Sequence, residues 1–137
     1  MAVTVHGEGV WLLPLSAREA GESLRVMLRE AGAEVDVEAR VVRDGAMALE
    51  NRRCTGCLGP TNVLSFPAEA GGMPGMLLLA ADTLRRECLL YGQEPTGHLL
   101  RLLAHGLAHV LGLDHGEAMD ALCARMRKAA ARRLAAP

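Results

Sequence analysis

Only three of the 137 residues are aromatic: Trp11, Phe66 and Tyr91. So few rings exclude a base-stacking platform of the kind that single-strand binders use. They also leave the core to Leu, Val, Ala and Met. No apolar run approaches the roughly 18 residues that a membrane-spanning helix needs, so no membrane partner is expected. The first residues carry no basic leader followed by an apolar stretch, so a signal peptide is not expected and a cytoplasmic protein is. No excess of either charge exists: 15 Lys and Arg stand against 16 Asp and Glu, for a net charge of −1. That excludes the strongly basic balance of many nucleic-acid binders, but not a local basic groove. No dinucleotide cofactor is expected. Cysteine is sparse, at Cys54, Cys57, Cys88 and Cys123. The one C-x-x-C, Cys54 to Cys57, lacks the second pair of a zinc ribbon, so these thiols read as reduced and incidental.

What the chain does contain is a mixture of periodicities. Residues 3–15 read as a strand and its exit, ending at Pro14. Residues 16–32 read as an amphipathic helix, with Ser16 and Glu19 placed as a capping box, Leu24, Met27 and Leu28 inward, and Gly32 as its stop. Residues 33–43 begin with the alternation of a half-buried strand. Asp44 is placed to cap a short helix through Arg53, and 54–62 and 68–75 read as loops. Residues 63–66 and 76–80 read as strands, the second continuously apolar and therefore buried. Asp82 is placed to cap a helix through Tyr91, and Thr96 the next one, running to about Leu111 and stopping at Gly112. A last helix covers about 117–134. One α+β domain spanning 1–137 is expected, with a small mixed β-sheet flanked by helices.

The chemistry concentrates in "HGLAHVLGLDH", residues 105–115. Residues four apart on a helix differ by about 40° and ~6 Å, so His105 and His109 can aim at one point. Gly112 lets the chain leave the helix and turn back, which allows His115 to join them. H-x-x-x-H-x-x-G-x-x-H is the ligand spacing of metzincin zinc sites, and three imidazoles with an open position form a catalytic rather than a structural arrangement. The position that holds the general base of H-E-x-x-H peptidases is Gly106 here, which points away from proteolysis and leaves phosphodiester hydrolysis open. Asp114 suits either an outer contact to a ligand imidazole or a turn and cap before the last helix. His98 reads as a surface or groove residue rather than a fourth ligand, and His6 has no partner in sequence.

With Gly106 in place, this stretch resembles the H-G-x-x-H-x-x-G-x-D-H signature of the YbeY family, the bacterial rRNA maturation factors. "NRRCTGCLGPTNVLSFP", residues 51–67, resembles that family's N-x-x-Y-R-x-x-D-x-P-T-D/N-V-L-S-F-P. The order of elements agrees over nearly the whole chain. The resemblance implies an α+β fold with a central metal-binding helix. It also implies a single-strand-specific, zinc-dependent endoribonuclease acting in ribosomal RNA maturation and ribosome quality control. By matching positions, His105, His109 and His115 hold one Zn²⁺ per chain. Asn51, Thr61, Asn62 and Ser65 fall in the loop and strand near the groove. The implied partners are single-stranded RNA, ribosomal RNA and the small ribosomal subunit. The chain departs from the pattern where Cys54 and Thr55 replace the aromatic–arginine pair, where Leu58 and Gly59 displace an aspartate, and where Met76 replaces an acid.

Arg52 and Arg53 adjoin the lost arginine and suit phosphate contact, although both equally suit a solvated helix end. Arg85 and Arg86 carry the same ambiguity. Three functions therefore stand at this stage. The first is a zinc-dependent endoribonuclease. The second, motivated by Thr55 and Met76, is a metal-containing ribosome-assembly factor without cleavage. The third is a metallopeptidase, which Gly106 argues against.

Overall fold

Successive residues of a strand point to opposite faces, and β4 (Gly75–Ala80) uses both. In the computed structural model, which describes residues 1–57, 59, 61–69 and 72–137, Leu77 and Leu79 enter the main core. Leu78 and Ala80 join a smaller cluster with Val42 and Met47 on the other face. This accounts for the unbroken apolar run of β4. Its neighbour β2 (Val37–Val42) sends Val37, Ala39 and Val41 into the main core, while Arg40 stays exposed.

The sheet order is β1-β2-β4-β3, with β1 spanning Val3–His6 and β3 Val63–Phe66. The first three strands are parallel, and β3 pairs antiparallel to β4, Val63 opposite Leu79 and Phe66 opposite Met76. Parallel neighbours need crossovers, and helices supply them. The helices are α1 (Ala17–Ala31), α2 (Asp44–Thr55), α3 (Ala81–Tyr91), α4 (Pro95–Val110) and α5 (Glu117–Ala135). Helix α4 lies at the centre of the main core, with Leu99, Leu103, Leu107, Ala104 and Ala108 fully enclosed. The expected α+β domain, with its small mixed sheet and a buried histidine-bearing helix, is what the chain forms. No helix among the described residues is long and apolar enough to cross a membrane.

Helix α1 begins as its sequence dictates: the Ser16 hydroxyl accepts from the Glu19 N–H, and the Glu19 carboxylate accepts from the Ser16 N–H. Other boundaries differ from the sequence reading. The first strand ends at His6, and the rest of its supposed exit contains a short 3-10 helix, Val10–Leu12, held by the Gly9 N–H donating to the Val41 carbonyl. Helix α2 runs two residues past Arg53. Neither Asp44 nor Asp82 caps its own helix. Asp44 is the first residue of α2, and its carboxylate accepts from the Thr83 hydroxyl and Arg86. Asp82 sits inside α3 and accepts from the Asp44 N–H at 3.1 Å and Arg43 Nε at 2.8 Å. The two acids thus serve each other's helices, a tertiary exchange that local spacing cannot reveal. Thr96 does not cap α4. With Pro95 filling the first turn, the longer Glu94 side chain reaches the Thr96 and Gly97 N–H groups.

The Arg43 hydrogen bond holds the Asp82 carboxyl below its ordinary range. A lowered carboxylate stabilises the fold above its unfolded pKa, and that contribution is lost as pH falls through the folded value. Asp82→Asn is expected to lower the melting temperature by a few degrees at pH 7, about 1 kcal/mol for the lost charge on its bond to Arg43. The gap between variant and native chain closes below about pH 4. Thermal melts of both proteins at pH 7 and pH 3 check this, and a gap that stays constant contradicts the assignment.

Candidate metal centre

The last turn of α4 determines where the third histidine can go. The Gly112 N–H donates to the His109 carbonyl at 2.9 Å, and the Leu113 N–H donates to the Ala108 carbonyl at 3.0 Å. These paired bonds, with Gly112 at φ +88°, form a Schellman motif, which ends a helix and reverses the chain. An L side chain rarely adopts that φ, so glycine is required at this turn. The reversal brings His115 beside the helix. The ring centroids of His105, His109 and His115 lie 4.7, 4.9 and 5.2 Å apart, and one ligand nitrogen from each falls within 4.8 Å of the others. His105 and His109 are half-buried and His115 is exposed, so the cluster is open to solvent on one side.

The same turn orients His109. His109 Nδ1 lies 3.1 Å from the Leu113 carbonyl oxygen, which can only accept, so Nδ1–H donates and Nε2 keeps its lone pair. That Nε2 is 3.2 Å from His105 Nε2. Burial first, then the neighbouring His109 and His115, pushes the His105 imidazole below its ordinary pKa. The shift favours the neutral form that a metal requires. Three such nitrogens could hold a metal ion, and the donor set suits zinc, copper, iron or nickel better than magnesium or calcium.

Gly106 faces the sheet rather than the cluster. A Cβ at this position would stand 2.8 Å from Leu77 Cδ2, 3.1 Å from Val63 Cγ2 and 3.2 Å from Ser65 Oγ. The glycine that replaces the peptidase glutamate is thus a point of close approach between α4 and strands β3 and β4. The Ser65 hydroxyl donates to the Gly106 carbonyl at 3.0 Å across the same contact.

The family model described as Endoribonuclease YbeY matches residues 16–136. The chain belongs to the YbeY family. It is 41% identical to the Endoribonuclease YbeY of Nitratidesulfovibrio vulgaris over 88% of each chain. It is 39% identical to that of Lawsonia intracellularis over 92% of this chain and 95% of the relative. A solution structure from Thermotoga maritima shares the fold, with a TM-score of 0.69 over 96% of this chain and 91% of that one, at 20% identity. The YbeY relatives carry the name of a hydrolytic nuclease, and membership supports an endoribonuclease role for this chain.

The remaining residues of the second YbeY motif are spread over two tasks. Asn51 is buried; its Nδ2 donates to the Gly59 carbonyl at 2.9 Å, and its carbonyl groups accept from the Thr55 hydroxyl. Asn51 and Thr55 thereby fasten the end of α2 to the following loop, and Ser65 fastens β3 to α4. Arg52 and Arg53 are exposed, with Arg53 paired to Glu50 at 2.8 Å. Arg86 is committed to Asp44 and Thr83. Leu58, one of the departures from the YbeY pattern, lies outside the described residues. Asp114 is exposed, and among the described residues its carboxylate has no hydrogen-bond partner and caps no helix. The outer contact expected of it comes instead from the Leu113 carbonyl. Gly112 at the helix stop was the sequence signal for that turn, but a backbone acceptor has no residue type of its own to read.

His98 differs from its sequence reading as a surface residue: it is buried. Its Nε2 is 3.0 Å from Glu87 Oε1, and its Nδ1 is 3.3 Å from Arg101 Nη1. Arginine can only donate, so Nδ1 accepts and Nε2–H donates to the carboxylate. Asn62 Nδ2 reaches the same Glu87 at 3.3 Å. The set joins the start of β3 to α3 and α4, and sequence reasoning missed it because Glu87 stands 11 residues from His98 and 25 from Asn62.

Proposed function

We propose that this chain is a zinc-dependent, single-strand-specific endoribonuclease acting in ribosomal RNA maturation and ribosome quality control. The observation that carries this reading is a solvent-open cluster of three convergent imidazoles in a YbeY-family chain, with no carboxylate at the peptidase-base position. Two nitrogens on a tetrahedral zinc, each about 2.05 Å from the ion, stand about 3.3 Å apart, and His105 and His109 Nε2 stand at 3.2 Å. The donor set and spacing therefore fit Zn²⁺, which would be held by His105, His109 and His115. When bound, zinc supplies an ionised water near neutral pH and polarises a phosphoryl oxygen.

The chain's own groups have separate parts in this reading. The Leu113 carbonyl fixes the His109 tautomer. Burial keeps His105 neutral. Arg52 and Arg53 stand at the exposed end of α2 as donors to phosphate oxygens, while Asn51 and Ser65 keep the loop and strand in register. Asp114, exposed and next to His115 in sequence, would steady that imidazole from outside. The metallopeptidase reading fails on Gly106, because a glutamate there would point into the sheet.

The test is cleavage of a labelled single-stranded RNA by zinc-reconstituted protein and by the same protein after chelation. Cutting that depends on zinc is expected. A second reading, a ribosome-assembly factor without cleavage, is favoured by Thr55, which stands where the family carries arginine. Thr55→Arg separates the two. Under the primary reading the native chain already cuts and the variant changes the rate by less than about tenfold, or 1.4 kcal/mol. Cleavage gained only in the variant supports the second.

A further inference from the structure

The arginines of this chain divide into paired and unpaired sets. Arg43, Arg53, Arg86 and Arg133 each sit against a carboxylate, and Arg18 shares Glu22 with Arg133. Among the described residues the other ten cations have no carboxylate within 4 Å, and Arg101, Arg127 and Lys128 are three of them. These three share one groove between α4 and α5. Its near end, about 260 Å³, is lined by Arg101, His105, Asp120, Cys123 and Arg127. Its continuation, about 380 Å³, includes Gly97, Leu100 and Lys128 with the same two arginines. His105 belongs to both the near end and the imidazole cluster, so the groove adjoins the candidate metal centre.

Its residues are arranged to hold anions. Arg101 lies one helical turn before His105, ~6 Å along the axis. Its partners are neutral, Gln93 Oε1 at 3.1 Å and His98 Nδ1 at 3.3 Å, so it is steadied without being neutralised. Arg127 Nε is closed off from solvent and has no acceptor. A shielded donor without a partner is uncommon in folded proteins. Asp120 is the only acid lining either part. Among the described residues no Phe, Tyr or Trp lines them, so bases have little surface to stack on and contact falls on the phosphates.

We infer that single-stranded RNA runs from the metal centre along this α4–α5 groove, its phosphates held by Arg101, Arg127 and Lys128. This rests on the endoribonuclease reading above and adds a path for the strand that is separate from Arg52 and Arg53. Arginine binds phosphate through paired donors, and the interaction is indifferent to base identity and weakened by salt.

The experiment is fluorescence anisotropy of a labelled oligouridylate of about 12 nucleotides, a length that spans a typical single-strand site. It is titrated with the full-length chain across a range of KCl concentrations. The variants are Arg127→Gln/Lys128→Gln and Lys128→Gln alone, with Arg29→Gln/Arg40→Gln, two exposed arginines outside the groove, as a charge-matched control. The double variant is expected to lose about tenfold in affinity and to flatten the salt slope by about 1.4, the value for two lost phosphate contacts. The single variant flattens it by half as much, and the control keeps native values. If native protein binds and the groove variants bind equally well with an unchanged slope, the path is wrong while the endoribonuclease reading stands. If native protein binds no oligonucleotide, both are overturned. Equal competition by a polyglutamate peptide reassigns the groove to acidic proteins and also overturns the inference.

Discussion

His109→Ala is expected to remove metal binding and RNA cleavage together while leaving the metal-free fold largely intact. The substitution deletes one of three nitrogens and the Nδ1–H···O=C bond that ties α4 to the Leu113 turn. Loss of an outer-shell partner alone typically costs 10–100-fold in metal affinity, so loss of the ligand is expected to cost more than about 100-fold. A native chain at roughly 100 times its zinc Kd gains ~2.7 kcal/mol of stability, which for a domain of this size raises the melting temperature by about 5–10 °C. The variant gains none of it. Without metal the two proteins differ by about 1 kcal/mol, the usual net value of one hydrogen bond. Melts with and without zinc check this directly. A variant that keeps both its zinc-induced shift and its zinc content shows that His109 is not a ligand.

The second large effect is at Gly106. Gly106→Glu forces a carboxylate into the dry contact between α4 and strands β3 and β4, where even a Cβ meets Leu77 and Val63 at 2.8 and 3.1 Å. Overpacking costs ~1–3 kcal/mol, and an unpaired buried charge adds several more. The variant is expected to lose most of its stability, with a melting temperature lowered by more than about 10 °C or no soluble product. It gains no peptidase activity. Gly106→Ala is milder, because the better helix propensity of alanine, ~1 kcal/mol, offsets part of the clash. It is expected to keep its metal. Native stability in Gly106→Glu, or zinc-dependent digestion of casein by it, would contradict this account of the glycine.

Much of this was legible in the chain because it depends on local spacing. The Ser16–Glu19 box, the apolar run of β4 and the histidines four apart each carry their geometry in a few consecutive residues. Gly112 announced the reversal that returns His115. What escaped the sequence depends on partners far along the chain. Asp44 and Asp82 each have the residue type of a cap but serve the other's helix across the fold. His98 looked like a surface residue because the carboxylate that accepts its proton is on α3. The meaning of Gly106 was half visible: its lack of a carboxylate argued against proteolysis, but only the packed sheet shows why no side chain is tolerated. Arg127 and Lys128 carry no local sign of a groove, because α4 supplies its other wall.

His105, His109 and His115 are proposed to hold one zinc ion. X-ray absorption on zinc-loaded native protein, with metal content measured for native and His109→Ala, tests it most directly. One zinc per native chain is expected, with a shell of nitrogen and oxygen scatterers at about 2.0–2.1 Å and no sulfur, and little metal retained by the variant. A sulfur shell at about 2.3 Å would place the ion on Cys54 and Cys57 instead. Full occupancy in His109→Ala would likewise contradict the three-histidine site.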